Sequence, residues 1–300
     1  MAVLRGFQWS DLDGLLQVRE AALPSAAGQR LGDRERLAAD LERAGGQPER
    51  DLWVVEEGGQ IVAYGRLAPW YDPRGLQVEI VVRPEQRGRG LGRALLRRLG
   101  SWAERRGSDF LAAVVDERVP EVGEFLRKQG FRVYVERQHM RLEPIRIPVV
   151  RPVGGYRLRA AGLEDAAVLA EVSNATFGER GGVADAEGYR RYLTESKVGV
   201  RVAEREADEA VAGLVETYGR EVSIDGGLAI SGHIASLAVR PEEQGRGLGH
   251  WLLAVGIGAC SAAGWPSVEL NVDCDNGAAL HLYEWAGFRR VYGYAEYRRP

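Results

Sequence analysis

Two short stretches carry the first chemical signal in this chain. One reads Val239-Arg240-Pro241-Glu242-Glu243-Gln244-Gly245-Arg246-Gly247-Leu248-Gly249. The other, Val82-Arg83-Pro84-Glu85-Gln86-Arg87-Gly88-Arg89-Gly90-Leu91-Gly92, lies 157 residues earlier. Each follows an apolar run and opens a segment with apolar residues at helical spacing: Leu91, Leu95, Leu99 and Trp102 in one, Leu248, Leu252, Val255 and Ala259 in the other. At a strand–loop–helix junction the first backbone N–H groups of the helix lack intrahelical partners, and with the helix dipole they attract an anion. Glycine allows a sharp turn and lets a phosphate approach without meeting a Cβ. Arg246, Arg87 and Arg89 add positive charge. The chemistry spelled here is the cradling of a pyrophosphate. It has neither the Lys-Ser/Thr ending of a P-loop nor the three-glycine spacing of the dinucleotide fingerprint.

The elements that must position these loops occur twice. Gly130-Phe131 and Gly287-Phe288 keep the same 157-residue offset, and Asp11-Leu12-Asp13 resembles Leu163-Glu164-Asp165 upstream. The period is too long for a solenoid unit, so the chain reads as two whole domains of one ancestry. We expect domains over 1–146 and 154–300, joined by an extended linker at Glu143–Pro152, where three prolines stand. Each half predicts a first helix near Asp11 or Glu164 and a hairpin (Asp51–Gly65; Val200–Val215). An apolar strand (Val78–Val82; Ile234–Val239), the glycine loop and a helix follow. Next come a strand (Phe110–Val115; Ser267–Val272), another helix, and closing strands from Phe131 and Phe288. Alternating strands and helices predict an α/β fold, two tandem domains each with a mixed central β-sheet flanked by helices.

Gln244-x-x-Gly247-x-Gly249 and Arg87-x-x-Gly90-x-Gly92 resemble the (Gln/Arg)-x-x-Gly-x-(Gly/Ala) signature of the GNAT N-acetyltransferase superfamily. The stretch from Asn276 through Ala279 and Tyr283 to Gly287-Phe288 resembles the family's Asn-x-x-Ala-x-x-x-Tyr-x-x-x-Gly-Phe. These marks cover about a third of each half. The resemblance implies acetyl-CoA (CoA) as the donor. It implies that pantetheine pairs with the strand backbone at Leu237, Ala238 and Val239. The pyrophosphate would rest on amides of Gln244, Gly245, Arg246, Gly247, Leu248 and Gly249. Asn276 would bond near the cofactor arm, and Tyr283 would protonate the departing thiolate. In the first half the corresponding cradle would be Val82, Arg87, Gly88, Arg89, Gly90 and Gly92. The tandem form resembles the mycothiol synthase family, with one departure: that family's glutamate base before the loop is matched here by His233.

The two halves differ. Leu126 and Val119 stand where the second half has Tyr283 and Asn276, and a leucine donates no proton. We therefore expect chemistry in the second half and a structural or silent-binding role for the first. For the base, a histidine near pKa 6.5 is competent at pH 7, which favours His233; Glu216 on the preceding strand is the other candidate. Glu79 stands where Ser236 stands and is either a remnant base or a solvated residue. Tyr189, Tyr192, Tyr218, Tyr294 and Glu296 could line an acceptor pocket. Cys274 has no flanking basic residue to activate a thiolate.

Composition narrows the classes. The formal charge is −3 and no aromatic series interleaves the basic residues, so nucleic acid is not the expected partner. No apolar run reaches the ~20 residues of a membrane span. Cys260 and Cys274, the only cysteines, have no metal-ligand spacing. With no export signal at the start, the expected location is the cytoplasm. The expected reaction moves an acetyl group to the primary amine of a small molecule or peptide, and no metal is needed. The alternative is a non-catalytic acyl-CoA binding or sensing protein; retention of Tyr283 and Asn276 favours the enzyme.

Overall fold

The computed structural model describes residues 2–22, 34–42, 47–178, 184–194, 198–224 and 227–300. The chain divides into two compact units. The first comprises Met1–Tyr134, Ser223–Gly227 and Ala295–Pro300; the second comprises Val135–Val222 and Leu228–Tyr294.

In chain order the first half gives β1 (Val3–Gly6), α1 (Leu12–Ala22), α2 (Arg34–Glu42), α3 (Pro48–Asp51), β2 (Leu52–Glu57), β3 (Gln60–Pro69) and β4 (Gly75–Val82). It continues with α4 (Leu91–Arg105), β5 (Phe110–Asp116), α5 (Pro120–Lys128) and β6 (Arg132–Leu142). The second half gives β7 (Tyr156–Ala160), α6 (Ala166–Phe177), α7 (Ala186–Thr194), β8 (Val198–Arg205), β9 (Val211–Ile224) and β10 (Gly227–Val239). Then follow α8 (Leu248–Ala262), β11 (Val268–Asp273), α9 (Gly277–Trp285) and β12 (Arg289–Arg299). Residues 143–153 between the halves hold no helix or strand, as three prolines dictate. Among the described residues no helix is long and apolar enough to cross a membrane.

The sheet order in the first unit is β1-β2-β3-β4-β5-β12, and in the second β12-β6-β11-β10-β9-β8-β7. Both mix parallel and antiparallel pairs: β3 with β4 is antiparallel, while β4 with β5 and β10 with β11 are parallel. Apolar residues line both faces. In the first unit Leu12, Leu15 and Val18 of α1 pack on one face, and Leu96 and Leu99 of α4 on the other. In the second, α6 and α7 cover one face, and Leu252, Leu253 and Ile257 of α8 the other.

The compact units do not divide at the prolines. Residues Arg137–Leu142 of β6 pair antiparallel with Asp273–Val268 of β11, so the strand that closes the first half of the sequence builds the second unit. Residues Ala295–Pro300, at the end of β12, belong to the first unit. There Tyr297 is 4% exposed among Leu126, Phe131 and Leu111. Repeat arithmetic cannot reveal this exchange, because both closing strands occupy equivalent places in the sequence.

Tyr297→Ala should therefore destabilise the first unit by about 3 kcal/mol, the usual result of emptying a large buried aromatic site. Chemical denaturation followed by the fluorescence of Trp53 and Trp102, which pack on that core, reads the loss.

Candidate active site

The parallel pair β10–β11 runs side by side only where Gly232, His233 and Ile234 face Val268, Glu269 and Leu270. Both strands continue beyond, β10 to Val239 and β11 to Asp273, without pairing to each other. The strands diverge, and beyond Ile234 the edge of β10 toward β11 has no strand partner among the described residues; of its groups, the Val239 carbonyl accepts from Gln244 and Thr176. The first unit repeats this: β4 and β5 pair only over Gly75–Gln77 with Phe110–Ala112. Buried or cleft-lining N–H and C=O groups need partners, so such an edge suits a ligand that carries amides.

In the second unit β10 has one residue more than β4 between this pairing and the loop, since Gly232 pairs where Leu76 does. The extra residue is a bulge. Ile234 packs in the core under α8, and so do Leu237 and Val239, so the alternation breaks at Ala235–Ser236. The bulge leaves His233 and Ser236 both facing away from α8.

The loops at the strand ends join left-handed glycines to a helix N-terminus. Gly245 and Gly247 have φ of 78° and 91°, and Gly88 and Gly90 have φ of 76° and 81°. Gly247 and Gly90 are the N-caps of α8 and α4. A Cβ at Gly245, Gly88 or Gly90 would meet open space, and one at Gly247 only Val153 at 3.7 Å. The left-handed backbone requires glycine, and the open space leaves room for an anion. Gln244 Nε2 donates to the Val239 carbonyl at 3.1 Å, and Arg87 Nε to Val82 at 3.5 Å. The signature's first residue thus ties the loop to its strand. The other arginines are engaged: Arg246 with buried Glu243 at 3.3 Å, Arg89 with Glu57 at 2.7 Å. The guanidinium groups of Arg246 and Arg89 are thus committed to carboxylates rather than free. Leu248 is buried as the first residue of α8, and a Cβ at Gly249 or Gly92 would come 3.5 Å from Leu282 or Phe125, ordinary packing distance.

Asn276 caps α9: its side-chain oxygen accepts from Ala279 N–H at 3.1 Å. About two turns later, Tyr283 is buried edge-to-face on Phe288, and burial pushes its hydroxyl pKa to about 12. In the first unit Val119 offers no side-chain cap; Pro120 starts α5 instead, and Leu126 fills the core.

On the face away from α8, Arg240 N–H bonds to Ala212 O. Counting back along the antiparallel pair sets Glu216 at the level of Ser236. Glu216 is buried and accepts a 2.5 Å hydrogen bond from Tyr189 of α7. Burial raises its carboxyl pKa to about 7, although the Tyr189 bond opposes this. The His233 ring lies 5.0 Å from that of Tyr218, tilted by 51°; burial first, then Arg220 and His139, lowers its pKa to about 4. The buried His233 Nδ1 and Ser236 Oγ have no hydrogen-bond partner among the described residues. The first unit inverts the arrangement. There Glu79 pairs with Arg66 at 2.5 Å and accepts from Tyr64 at 2.9 Å. Burial opposes its charge, but Arg66 and Arg19 hold its pKa below the ordinary value.

Sequence reasoning did not place the polar network beside His233. His139 of β6 lies 3.1 Å from Asn271 and 3.4 Å from Glu269, which Arg141 also holds at 2.7 Å. Its signal was polar residues at alternate positions, 137, 139 and 141, of a closing strand. Tyr189 and Tyr218 do meet Glu216 and His233. Tyr294 lies 6.3 Å from Tyr292 in the second unit, and Tyr192 packs beside the core under α6 and α7. Glu296 instead belongs to the first unit, where Arg298 and Tyr71 bond to it. Exposed Cys274 has its thiol pKa raised, first by desolvation, and is no activated nucleophile.

The Acetyltransferase (GNAT) family model matches residues 15–131 and again 170–288. The chain belongs to the GNAT acetyltransferase family. It is an acyltransferase in tandem form, and enzymes of this family use acetyl-CoA. The mycothiol acetyltransferase of Mycobacterium avium (strain 104) is 33% identical over 262 residues, 76% of this chain and 75% of that protein. That of Rhodococcus opacus (strain B4) is 28% identical over 310 residues, covering 99% and 96%. Among solved structures, a GCN5-related N-acetyltransferase from Sphaerobacter thermophilus superposes with a TM-score of 0.77 at 22% identity, covering 99% of this chain and 95% of that one. A tandem GNAT protein from the clavulanic acid biosynthesis pathway gives 0.70 at 21%, covering 100% and 98%. The fold is thus that of tandem GNAT proteins.

Gly247→Asp in this GNAT protein sets a side chain and a negative charge where φ is 91° and the loop is open. Calorimetry with acetyl-CoA should show the second-unit binding event lost while the fold, read by circular dichroism, persists.

Proposed function

We propose that this protein transfers the acetyl group of acetyl-CoA to the primary amine of a small molecule or peptide, with the chemistry in the second unit. The carrying observation is that the diverged strands, the glycine cradle, a buried tyrosine hydroxyl and a carboxyl tuned near neutrality occur together there. Acetyl-CoA supplies an activated thioester. The edge at Leu237, Ala238 and Val239 offers backbone groups to its pantetheine amides. Amides from Gly245 to Gly249 face its pyrophosphate, whereas the expected Gln244 amide is already bonded to the Pro241 carbonyl; the Nδ2 of Asn276 is left to the arm once its oxygen caps α9.

Tyr283 and Glu216 divide the proton work. With its pKa pushed to about 12, the Tyr283 hydroxyl stays protonated through the working range. An ordinary thiol titrates near 8.5, so full transfer from Tyr283 is uphill; its main help is a hydrogen bond to the sulfur as negative charge develops there. Glu216, near 7, is half-ionised at neutrality and accepts a proton from the incoming ammonium. His233, near 4, is neutral at pH 7, and its buried, unpartnered Nδ1 is the atom left to accept a hydrogen bond from the amine or from a water that enters the site. His233 acts in this scheme as an orienting acceptor and weak base beside a better one.

A second reading applies to the first unit. Its glycine loop and diverged strands match those of the second, but Leu126 replaces the tyrosine and Arg66 holds Glu79 in an ion pair. These features support silent CoA binding there, through Val82, Arg87, Gly88, Arg89, Gly90 and Gly92.

Tyr283→Phe should slow turnover by about 10²-fold, the lower end for proton-transfer help, with acetyl-CoA affinity retained; Leu126→Ala should leave kcat nearly intact. The base is tested by pH. A base works only when deprotonated, so the rate should rise with pH through about 7 and then level, following Glu216. Glu216→Gln should remove that limb, whereas His233→Gln should keep it and lower kcat/KM about tenfold, below the range of a true general base. A limb near 4 that vanishes in His233→Gln would transfer the role to the histidine.

A further inference from the structure

The chemistry above leaves one cavity of the first unit without a role. It holds about 410 Å³ along the flank of α4, and Arg93, Arg97, Gly100, Glu104, Gln129 and Arg299 line it. Arg93 and Arg97 are exposed and one helical turn apart, so they share a face on which like charges repel. Neither forms a hydrogen bond or ion pair among the described residues. Arg299 reaches the cavity from β12. Its guanidinium is partly buried, lies 5.0 Å over the Phe131 ring and donates to the Gln129 carbonyl at 3.4 Å. Burial pushes its pKa down; Glu104 opposes this but forms no ion pair with it. Glycine is disfavoured inside a helix, yet Gly100 stands within α4, and a Cβ there would come 2.7 Å from Arg299 Nη2. The bare position opens the helix flank to the guanidinium. Three cations thus share a cavity with a single acid. A partly buried charge without a counter-charge is unfavourable, and the planar guanidinium fork fits an oxyanion.

We propose that this cavity binds a phosphoryl oxyanion held by Arg93, Arg97 and Arg299. Arg97 lies seven residues past Gly90, roughly 10 Å along the axis at 1.5 Å per residue. The site is therefore separate from the glycine loop but within reach of an outer phosphate of a nucleotide seated there. The oxyanion is either free or the ribose phosphate of CoA.

The test is calorimetric titration of the full chain with pyrophosphate, CoA and 3′-dephospho-CoA. The proteins are the wild type, the Arg93→Gln/Arg97→Gln double variant and Arg299→Gln. Losing these charge-assisted bonds should weaken oxyanion binding at least about tenfold, with dephospho-CoA affinity unchanged. If the source is CoA, wild type prefers CoA to dephospho-CoA and the variants erase the preference. If the source is free, the two nucleotides bind alike and pyrophosphate still binds in saturating CoA. Variants that leave both pyrophosphate affinity and any CoA preference unchanged overturn the proposal. Should Arg299→Gln fail to fold, the double variant at exposed helix positions decides alone.

Discussion

Two parallel strands that part company set the conditions for everything else in this enzyme. A parallel pair normally hides its backbone groups in a ladder. Here β10 and β11 pair for three residues and then diverge, so one strand edge is left seeking partners inside the fold. Each strand also delivers a helix to the gap. β10 leads through the positive-φ glycines into α8, whose N-terminus attracts an anion; β11 leads into α9, which carries Tyr283. Closing the gap would remove the edge and crowd the space between these helices. The bulge in β10 adds the last element, because the extra residue turns Ser236 to the side that His233 already faces.

The same frame in the first unit is differently furnished, and the difference is electrostatic. Both units hold a carboxylate at the level where the strands part, but on opposite strands. Glu79 on β4 faces Arg66 on β3; Glu216 on β9 is level with Ser236 on β10. An arginine partner keeps the first carboxylate charged and occupied. With no cation and only a tyrosine hydroxyl, the second is shifted by burial to where it exchanges protons at neutral pH. Leu126 for Tyr283 and Pro120 for an asparagine cap complete the contrast: the first unit gains apolar packing where the second keeps polar groups.

The strand exchange makes the sequence halves unequal to the folding units. β6 brings His139 and Arg141 to Glu269, holding that carboxyl near 2 despite burial, in the network beside His233. The end of β12 brings Tyr297 to the core of the first unit. Cutting the chain between the halves would therefore take a strand from each sheet, leave an edge exposed on both, and invite pairing with other chains.

Much of the frame was legible in the sequence because it rests on local rules. Glycines at positive φ, apolar residues at helical spacing and the duplicated offset fixed the loops, α4, α8 and the order of elements, since each depends on near neighbours. The loss of Tyr283 and Asn276 counterparts was equally plain, because side-chain chemistry needs no coordinates. What only the tertiary structure decided was how those side chains are tuned and which unit each closing strand joins. His233 was expected near 6.5 and lies near 4, whereas Glu216 rose to about 7; both shifts come first from desolvation, which depends on how many atoms the fold packs around a group. Pairing partners of β6 and β12 are likewise set by contacts far apart in the chain, where two nearly equivalent strands offer the same local pattern and only the assembled sheet chooses between them.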